Sequence, residues 1–331
     1  MSHQPRPRIH LHDEGDFIAA VPYMLGYRPE NSLVVTTHTK KPQQNIALCL
    51  RSDIPPEHLY QSLAEQLKIP ITGSDAASAT ILVICNDSAK HAPPHRALVN
   101  ALTETFNANS VTVHDALWAP DITAGARWSC YSNPERSGQI PDPKASAIAI
   151  ASTMSGSITY DSKADMRASL EPCDANLLSH RSKRISAALR HSPNETSSLK
   201  LVDDTLTQAS DETLNLDDNR IVDLAVALTH VHVRDHCLKP EVTRRDARIE
   251  QLWVDLTRAL PAPYRAESAF LLAVTAYLRG DGALAGIALD VARQANPAHR
   301  ATRIMRHAMD MGLRPDAVAE ALAIAFPQQK P

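Results

Sequence analysis

The chain has 331 residues, of which 44% are hydrophobic and 21% are charged, and its formal net charge is −3. This composition is typical of a folded protein of about two domains. It lacks the basic excess of a nucleic-acid or membrane-surface binder, so we expect neither kind of partner. The chain holds only 10 glycines and neither a G-x-G-x-x-G nor a P-loop pattern, which argues against a glycine-rich phosphate loop.

The cysteines are odd in number and widely spaced, without a C-x-x-C pair: Cys49, Cys85, Cys130, Cys173 and Cys237. Such spacing predicts free thiols in a reducing compartment rather than a disulfide framework or a zinc site. The opening residues MSHQPRPRIHLHDEGD lack the apolar core of a signal peptide, and the sequence has no apolar run long enough to span a membrane. We therefore expect a cytoplasmic protein.

The first strong pattern is DEGDFIAAVPYMLGYRPENSLVV, residues 13–35. Its apolar residues have the spacing of one helical face: Phe17, Ala20, Val21 and Met24. Asp13 is suited to cap the start of this helix, and Gly26 is suited to end it in a left-handed conformation. Pro22 falls inside the helix and deprives the carbonyl of Ile18 of its usual donor. The pattern predicts a helix, a tight turn and a buried strand.

Residues 1–135 alternate between strand and helix patterns and predict an α/β domain with a mixed, partly parallel sheet and flanking helices. Val-, Ile- and Leu-rich runs predict strands at 32–39, 45–52, 79–86, 110–118 and 126–132. Proline-led segments predict helices at 55–67 and 93–106. The run ATILVIC is apolar without alternation, as expected for a central strand covered on both faces.

Helical periodicity takes over after a polar, proline-rich segment, so we predict a linker at 136–146 and an all-α domain at 147–331. Apolar faces recur at 221/224/225/228, 249/252/253/256, 285/288/289/292, 301/304/305/308 and 318/321/322/325. Asn296 followed by Pro297 predicts a helix start. Residues 192–220 are polar and irregular, and predict a mobile connection or a weak helix.

Residues 268–311 place small and apolar residues where a 34-residue helical hairpin needs them: Leu272, Ala273, Gly280, Ala285, Leu289 and Ala292. This pattern resembles one tetratricopeptide unit, in which small residues let two helices approach closely. An ordinary helical bundle with alanine-rich contacts is the alternative.

Four segments together resemble the domain of unknown function 4192 family, an actinobacterial family. They are DFIAAVPYMLGYRPENSLVVT, DALWAPDITAGARWSCYS, VHVRDHCL and AYLRGDGALAGIALDVARQANPAHRATRIMRHAMDMGLRP. The likeness spans nearly the whole chain and is most specific in its first and last blocks. It implies a fold and an actinobacterial source, but no activity, cofactor or site.

Polar residues near the predicted strand ends are the main candidates for a ligand site. Asp53 follows the strand 45–52, and Asn86 and Asp87 follow the strand 79–86. If these strands run parallel, the three residues would line a crevice at one edge of the sheet. Arg28 and Asn31, in the turn after the first helix, are candidates for the same site. The alternative is that the aspartates only begin loops or cap helices.

The histidine-rich segment THVHVRDHC has no single conformation that presents all its ligand atoms, so we predict no metal and no cofactor. Its Arg234–Asp235 pair predicts a structural ion pair or helix cap. The basic run SHRSKRISAALRH spreads its charges around a helix and lacks aromatic residues, so we expect a solvated helix face rather than a nucleic-acid surface.

Two classes of function remain open on the sequence. The first is a non-catalytic scaffold that binds a protein partner through its helical domain. The second is a small-molecule or nucleotide-binding enzyme with its site at the strand ends. We favour the first, and no catalytic residue is predicted, because neither a G-x-S-x-G nucleophile motif nor a metal-binding pattern is present.

Overall fold

The computed structural model describes residues 11, 13–39, 45–74, 76–86, 93–154, 157–172, 174–191, 194–239 and 247–325. The chain divides into two compact units. The first comprises Met1–Asp165 and Asp310–Leu313, and the second comprises Met166–Met309 and Arg314–Pro331. Asp87 and Cys173 lie outside the described residues. The predicted domain limits, 1–135 and 147–331 with a linker between them, stay a prediction.

In its described residues, the first unit is built on a sheet with five flanking helices. Its strands are β1 (Ser32–His38), β2 (Ile46–Asp53), β3 (Ser78–Ile84), β4 (Thr112–Ala119), β5 (Arg127–Cys130) and β6 (Ser137–Gln139). Its helices are α1 (Glu14–Leu25), α2 (Tyr60–Gly73), α3 (Arg96–Ala108), α4 (Ala147–Met154) and α5 (Lys163–Ala168, which ends in the second unit). Short 3₁₀ turns lie at Glu57–Leu59 and Pro143–Ala145.

The second unit consists of helices in all of its described regular structure. They are α6 (Ala175–Leu189), α7 (Glu195–Ser210), α8 (Asp218–Leu228), α9 (Val231–His236), α10 (Ala247–Ala259), α11 (Arg265–Arg279), α12 (Gly282–Ala295), α13 (Arg300–Asp310, whose last residue belongs to the first unit) and α14 (Pro315–Ala325). The predicted fold class, an α/β region followed by an all-α region, is confirmed.

The sheet has the strand order β2-β1-β3-β4-β5-β6. β3 and β4 pair in parallel, and the other neighbouring pairs are antiparallel. The parallel pair encloses α3, so β3, α3 and β4 form the one β-α-β unit of the described sheet. In the predicted mixed sheet, the parallel pairing therefore lies at the centre, between β3 and β4.

β1 and β3 lie in the middle of the sheet and are almost entirely buried. Leu33 and Val35 of β1 belong to a core cluster with residues of β3, α2 and α3. Val34 and Thr36, which point to the opposite face, are buried as well. Burial on both faces explains why these strands read as continuous apolar runs rather than alternating ones.

The start and end of α1 agree with the prediction. The Asp13 carboxylate accepts the backbone N–H of Asp16 at 2.8 Å, which caps the helix. Gly26 follows the helix with φ 74°, a conformation that glycine adopts without strain. Pro22 lies inside the helix and is buried together with Ile18.

Two other helices of the first unit differ from their predicted limits. The predicted helix 55–67 is a 3₁₀ turn followed by α2, which continues past Pro70 to Gly73. The predicted helix 93–106 begins only at Arg96, because His95 has a left-handed backbone, with φ 54°. The prolines thus indicated that both helices exist, but not the residues at which they begin and end.

The predicted apolar faces of α8, α10 and α12 are all buried. Those of the last two helices are wrong in part, since Ile304 is 60% exposed and Ala321 and Ala325 are exposed. These helices end the described chain and have fewer neighbours to cover them, which periodicity alone does not report.

Three further expectations in the second unit need correction. Residues 195–210 form the regular helix α7, with Val202, Thr205 and Leu206 buried. Asn296 does not start a helix: its side chain accepts the N–H of Ala298 at 3.1 Å, and α13 begins at Arg300. Arg181 does not lie on a solvated face, because it is 7% exposed.

Residues 137–139, inside the predicted linker, form β6 and pair with β5. Trp128 lies directly opposite Gly138 in this pair, and a Cβ on Gly138 would lie 2.9 Å from the indole nitrogen. In the second unit, α11 and α12 pack against each other across the short turn Gly280–Asp281, and Ala285 and Ala292 are fully buried there. The tetratricopeptide likeness of this hairpin stays a prediction.

Candidate functional site

The first candidate site is the sheet edge where β2 and β3 end. Both strands are antiparallel to β1, which lies between them, so they run in the same direction. Ser32 at the start of β1 pairs with Asp53 on one side and with Ile84 on the other. Asn86 follows Ile84 by two residues and is exposed. Because β2 and β3 run in the same direction, Asp53 and Asn86 lie at the same edge of the sheet.

Arg51 organises the β2 side of this edge. Its Nε donates to the Ser32 hydroxyl at 2.8 Å, and its Nη1 lies 2.5 Å from a carboxylate oxygen of Asp53. The Ser32 hydroxyl in turn donates to the carbonyl of Glu30 at 2.6 Å. The Arg51 side chain is only 12% exposed, whereas that of Asp53 is 82% exposed. Asp53 therefore lies in the solvent with its charge balanced by an arginine that is only partly exposed.

Arg28 lies beside the same turn. Its Nη2 is 3.3 Å from the carboxylate of Glu30, and its Nη1 is 4.0 Å from that of Asp121, beyond the end of β4. The backbone N–H of Arg28 donates to the carbonyl of Tyr160 at 3.1 Å, which fixes the chain here. The Nε of Arg28 is buried and has no hydrogen-bond partner among the described residues.

Asn31 connects this turn to β1. It is exposed and has φ 43°, a left-handed conformation that asparagine tolerates better than most residues. Asn31 is thus explained by the turn itself. Contacts through Glu30 and Ser32 connect Arg28 and Asp53, two of the predicted site residues, while Asn86 shares their edge. Asp87 belongs to a segment outside the described residues.

The histidine segment offers no metal centre within the described part of the chain, where no group of three His, Cys, Asp or Glu side chains is arranged for a metal ion. His236 of α9 instead bonds Asp203 of α7, with 2.6 Å between Nε2 and the carboxylate. Arg234 donates to Asp235 at 2.9 Å, which is the structural ion pair that the sequence suggested. Burial raises the pKa of the Cys237 thiol well above its usual range, so this thiol is a poor ligand.

The basic run on α6 also has structural partners. The Nε of Arg181 donates to Asp218 at 2.7 Å, and its Nη1 donates to the carbonyl of Ala259 at 2.8 Å. Arg184 pairs with the same aspartate. These hydrogen bonds, first among them that of Arg181, lower the pKa of Asp218. Two of the four basic residues of this run therefore serve to join α6 to α8.

A second candidate site is an open groove in the helical unit, which we name the α10 groove. It consists of two depressions of about 300 and 240 Å³ that share Asp255. The larger is lined in part by Leu214, Leu216, Arg248 and Gln251, and the smaller by Leu177, Arg181 and Arg258. Between them, the two depressions are lined by Arg248, Gln251, Asp255 and Arg258 from the solvent-facing side of α10. The other side of this helix, with Ile249, Trp253 and Leu256, is buried.

Sequence reasoning missed the α10 groove. It predicted a mobile connection or a weak helix at 192–220, although Leu214 and Leu216 interrupt an otherwise polar segment and are only half buried. It also read α10 for its buried face alone. The spacing of Arg248, Gln251, Asp255 and Arg258 by three and four residues was available as a signal, since such residues share one side of a helix.

A family model described as "Domain of unknown function (DUF4192)" matches residues 15–316. No curated protein matches the chain, and no solved structure does. Among the helices that the structure describes, none has both the length and the apolar character needed to cross a membrane.

Proposed function

The chain belongs to the DUF4192 family, and we propose that it is a non-catalytic interaction protein whose helical unit binds a protein partner in the α10 groove. The observation that carries the proposal is that the two depressions share Asp255 as a lining residue. Both depressions are lined by residues of α10, from Arg248 to Ala259. The proposal includes a cytoplasmic setting and a tetratricopeptide-like hairpin at 268–311.

The size of the groove favours the binding of a peptide segment over that of an enclosed small molecule. Each depression is at or below the lower end of the usual range for small-molecule pockets, about 300–1,000 Å³, and both are open. Half-buried leucines beside charged side chains resemble the apolar centre and polar rim of a protein interface. Single apolar side chains of a partner would enter beside Leu214 and Leu216 at one end and beside Leu177 at the other.

The charged side chains along the groove suggest which charge the partner carries. Arg248 pairs with Glu212 at 3.5 Å, and Gln251 donates to Asp255 at 2.9 Å. Arg258 is exposed and has no ion pair with any residue that the structure describes. A partner segment with spaced apolar residues and a carboxylate opposite Arg258 would complement this surface.

Affinity capture with the full-length chain tests the proposal. We expect the wild type to retain a protein that Arg258→Glu and Leu177→Ser lose, because both side chains are exposed parts of the groove. Arg303→Glu, which changes an exposed arginine of α13, is the matched control and should retain it. Circular dichroism checks that all variants fold. Equal capture by all variants, or no specific capture by the wild type, would contradict the proposal.

One observation favours a second function, a small-molecule or nucleotide-binding enzyme with its site at the strand ends. β2 and β3 end at the same edge, where Arg28 and Asp53 are joined through a continuous set of polar contacts. Native mass spectrometry of the purified chain tests this function. A small molecule that remains bound to the wild type and is lost from both Arg28→Ala and Asp53→Asn would support it.

A further inference from the structure

β2 forms an open edge of the sheet. It pairs with β1 on one side, and among the described strands it has no neighbour on the other. β2 is eight residues long, Ile46–Asp53, and all of them except the first and the last are half buried. An open edge of this length presents a row of backbone N–H and C=O groups with which another chain can pair.

The opposite edge of the sheet, β6, is protected against such pairing. It has only three residues, Ser137–Gln139, with Gly138 at its centre. Pro134 and Pro141 lie on either side of it in the sequence, and a proline has no N–H to offer a neighbouring strand. Short strands and prolines are common protections of a sheet edge. β2 has neither, because it is long and its sequence, IALCLRSD, contains no proline.

The hydrogen bonds at the end of β1 fix the direction of its backbone groups. The carbonyl of His38 accepts the N–H of Ala77, just before β3. The N–H of Thr39 donates to the carbonyl of Asn45, just before β2. Successive residues of a strand direct their backbone groups to opposite sides. The residues of β1 whose backbone groups point to β2 are therefore Leu33, Val35 and Thr37.

The register of β1 and β2 carries this alternation into β2. Opposite those three residues lie Ser52, Leu50 and Leu48, so their backbone groups point to β1. Cys49 and Arg51 alternate with them, and their backbone groups point outward. Within the described part of the chain, no hydrogen bond joins these outward groups to an acceptor or donor beyond the edge. The middle of β2 is thus available for pairing with a further strand.

A second copy of β2 in antiparallel direction would satisfy these groups, because outward-facing residues then lie opposite each other. With the two-fold axis at Cys49, Leu48 lies opposite Leu50 of the second copy on both sides of the axis. Arg51 then lies opposite Ala47. With the axis at Arg51, two arginines lie opposite each other, which is unfavourable. With the axis at Leu50, only one contact between leucines is formed instead of two.

We propose that this chain forms a homodimer in which β2 of one copy pairs antiparallel with β2 of the other, about a two-fold axis at Cys49. The distribution of charge favours a second copy as the occupant of this edge. Arg51 and Asp53 both lie at one end of β2, and the rest of the strand is uncharged. Antiparallel pairing moves the two charged ends apart and brings the two apolar centres together. The dimer does not depend on the α10 groove or on ligand binding at the strand ends.

The mass of the full chain in solution tests the proposal. By light scattering and sedimentation equilibrium, we expect twice the mass of the single chain, which is 36.1 kDa, and dissociation on dilution. Cys49→Pro removes an N–H that points outward, a position at which an edge strand tolerates proline, so this variant should fold and be monomeric. Cys49→Ser is the matched control and should dimerise as the wild type does. A wild type that is monomeric at every concentration, or a folded Cys49→Pro that still dimerises, would overturn the proposal.

Hydrogen exchange of the wild type gives a second measurement that needs no variant. The amide protons of Cys49 and Arg51 are bonded only in the dimer, so their exchange, followed by NMR, should slow as the protein concentration rises. The amide protons of Leu48 and Leu50 are bonded to β1 and serve as internal controls, since their protection should not depend on concentration. Exchange at Cys49 and Arg51 that is equally fast at all concentrations would contradict pairing through β2.

Charges placed at Ala47 test the position of the axis. Ala47→Glu places a carboxylate opposite Arg51 of the second copy, and two such pairs form in each dimer. The dissociation constant of the dimer should therefore fall by a factor of about two to thirty, and Ala47→Lys should raise it by a similar factor. The reverse order would overturn the axis at Cys49, because it is expected when Ala47 lies opposite Asp53. Equal dissociation constants for the two variants would overturn pairing through β2.

Discussion

Nδ1 of His299 accepts the backbone N–H of Thr302 at 3.2 Å, so a histidine caps the start of α13. The Thr302 hydroxyl lies 2.6 Å from the same nitrogen, and Nε2 of His299 lies 3.0 Å from the carboxylate of Glu267. Because Nδ1 accepts a backbone N–H, the ring proton is on Nε2 and is donated to Glu267. The ring also packs edge-on against Phe270 at 5.5 Å. One side chain thus caps the start of α13 and joins this helix to α11.

His299→Ala should lower the free energy of unfolding by about 2 kcal/mol or more, because it removes a cap together with buried contacts. His299→Asn should lose less, since asparagine is a good capping residue and can accept the same N–H. Chemical denaturation of both variants checks this. Equal losses would mean that the contacts with Glu267 and Phe270, rather than the cap, are what His299 contributes.

The pKa of His38 predicts a pH dependence of stability in the first unit. Burial lowers this pKa, His114 lowers it further and Asp115, which pairs with Arg136, opposes the shift. The unfolded chain therefore takes up a proton near the ordinary pKa of 6.5, while the folded chain does not. The contribution of His38 is complete above that pH, and it should be lost as the pH falls from there through the lower pKa of the folded state.

Urea unfolding at several pH values, for the wild type and His38→Gln, measures this contribution. Glutamine keeps a polar group near the Thr80 hydroxyl, which lies 3.1 Å from Nε2 of His38, but it does not titrate. We expect a shallower fall of stability on acidification in the variant. Parallel curves for the two proteins would show that other groups cause the acid sensitivity.

The sequence predicted those parts of the fold that depend on local chemistry. The cap at Asp13, the left-handed Gly26 and the apolar strands β1 and β3 follow from residue type and spacing within a few positions. The buried faces of α8, α10 and α12 follow from helical period in the same way. Each of these features needs only neighbours in sequence, which is why a single chain reveals it.

Features that depend on distant partners could not be predicted in this way. Arg181 reads as an exposed residue until Asp218, on another helix, is seen to accept its hydrogen bond. The hydroxyl of Tyr60 lies 2.7 Å from Nδ1 of His95, although the two residues are 35 positions apart and no sequence pattern connects them. For the strand-end residues, the sequence placed Asp53 and Asn86 just after two strands, and the structure shows that these strands run in the same direction. That they line a ligand site stays a prediction. Arg51 balances the charge of Asp53 and bonds Ser32 across the pairing of β1 with β2, which the sequence does not show.

Ala285 tests the close approach of α11 and α12. Its side chain is fully buried, so Ala285→Leu adds volume where no space exists and should cost about 1–3 kcal/mol of stability. Ala321→Leu, the same change at an exposed position of α14, is the control and should alter stability by no more than about 0.5 kcal/mol. Thermal unfolding compares the two. A melting temperature unchanged by Ala285→Leu would show that the contact between the two helices is loose.

Pro22→Ala has two opposing effects on α1. The new backbone N–H can bond the carbonyl of Ile18, and a proline in a helix interior costs up to about 3 kcal/mol. The substitution also removes part of a buried ring, and it relaxes a backbone path to which the neighbouring residues are fitted. We expect stability to stay level or to fall, because Pro22 and the residues just before it, Ala20 and Val21, are buried.

Pro315→Ala provides the matched control. Pro315 is the first residue of α14, where a missing N–H costs nothing, so its replacement should leave the free energy of unfolding nearly unchanged. Denaturant unfolding of both variants gives the comparison. A clear gain of stability in Pro22→Ala would mean that the proline strains α1 without a packing benefit. Its place beside the turn of Arg28 would then favour a role in the strand-end site, and loss of small-molecule binding in both Pro22→Ala and Arg28→Ala would establish that role.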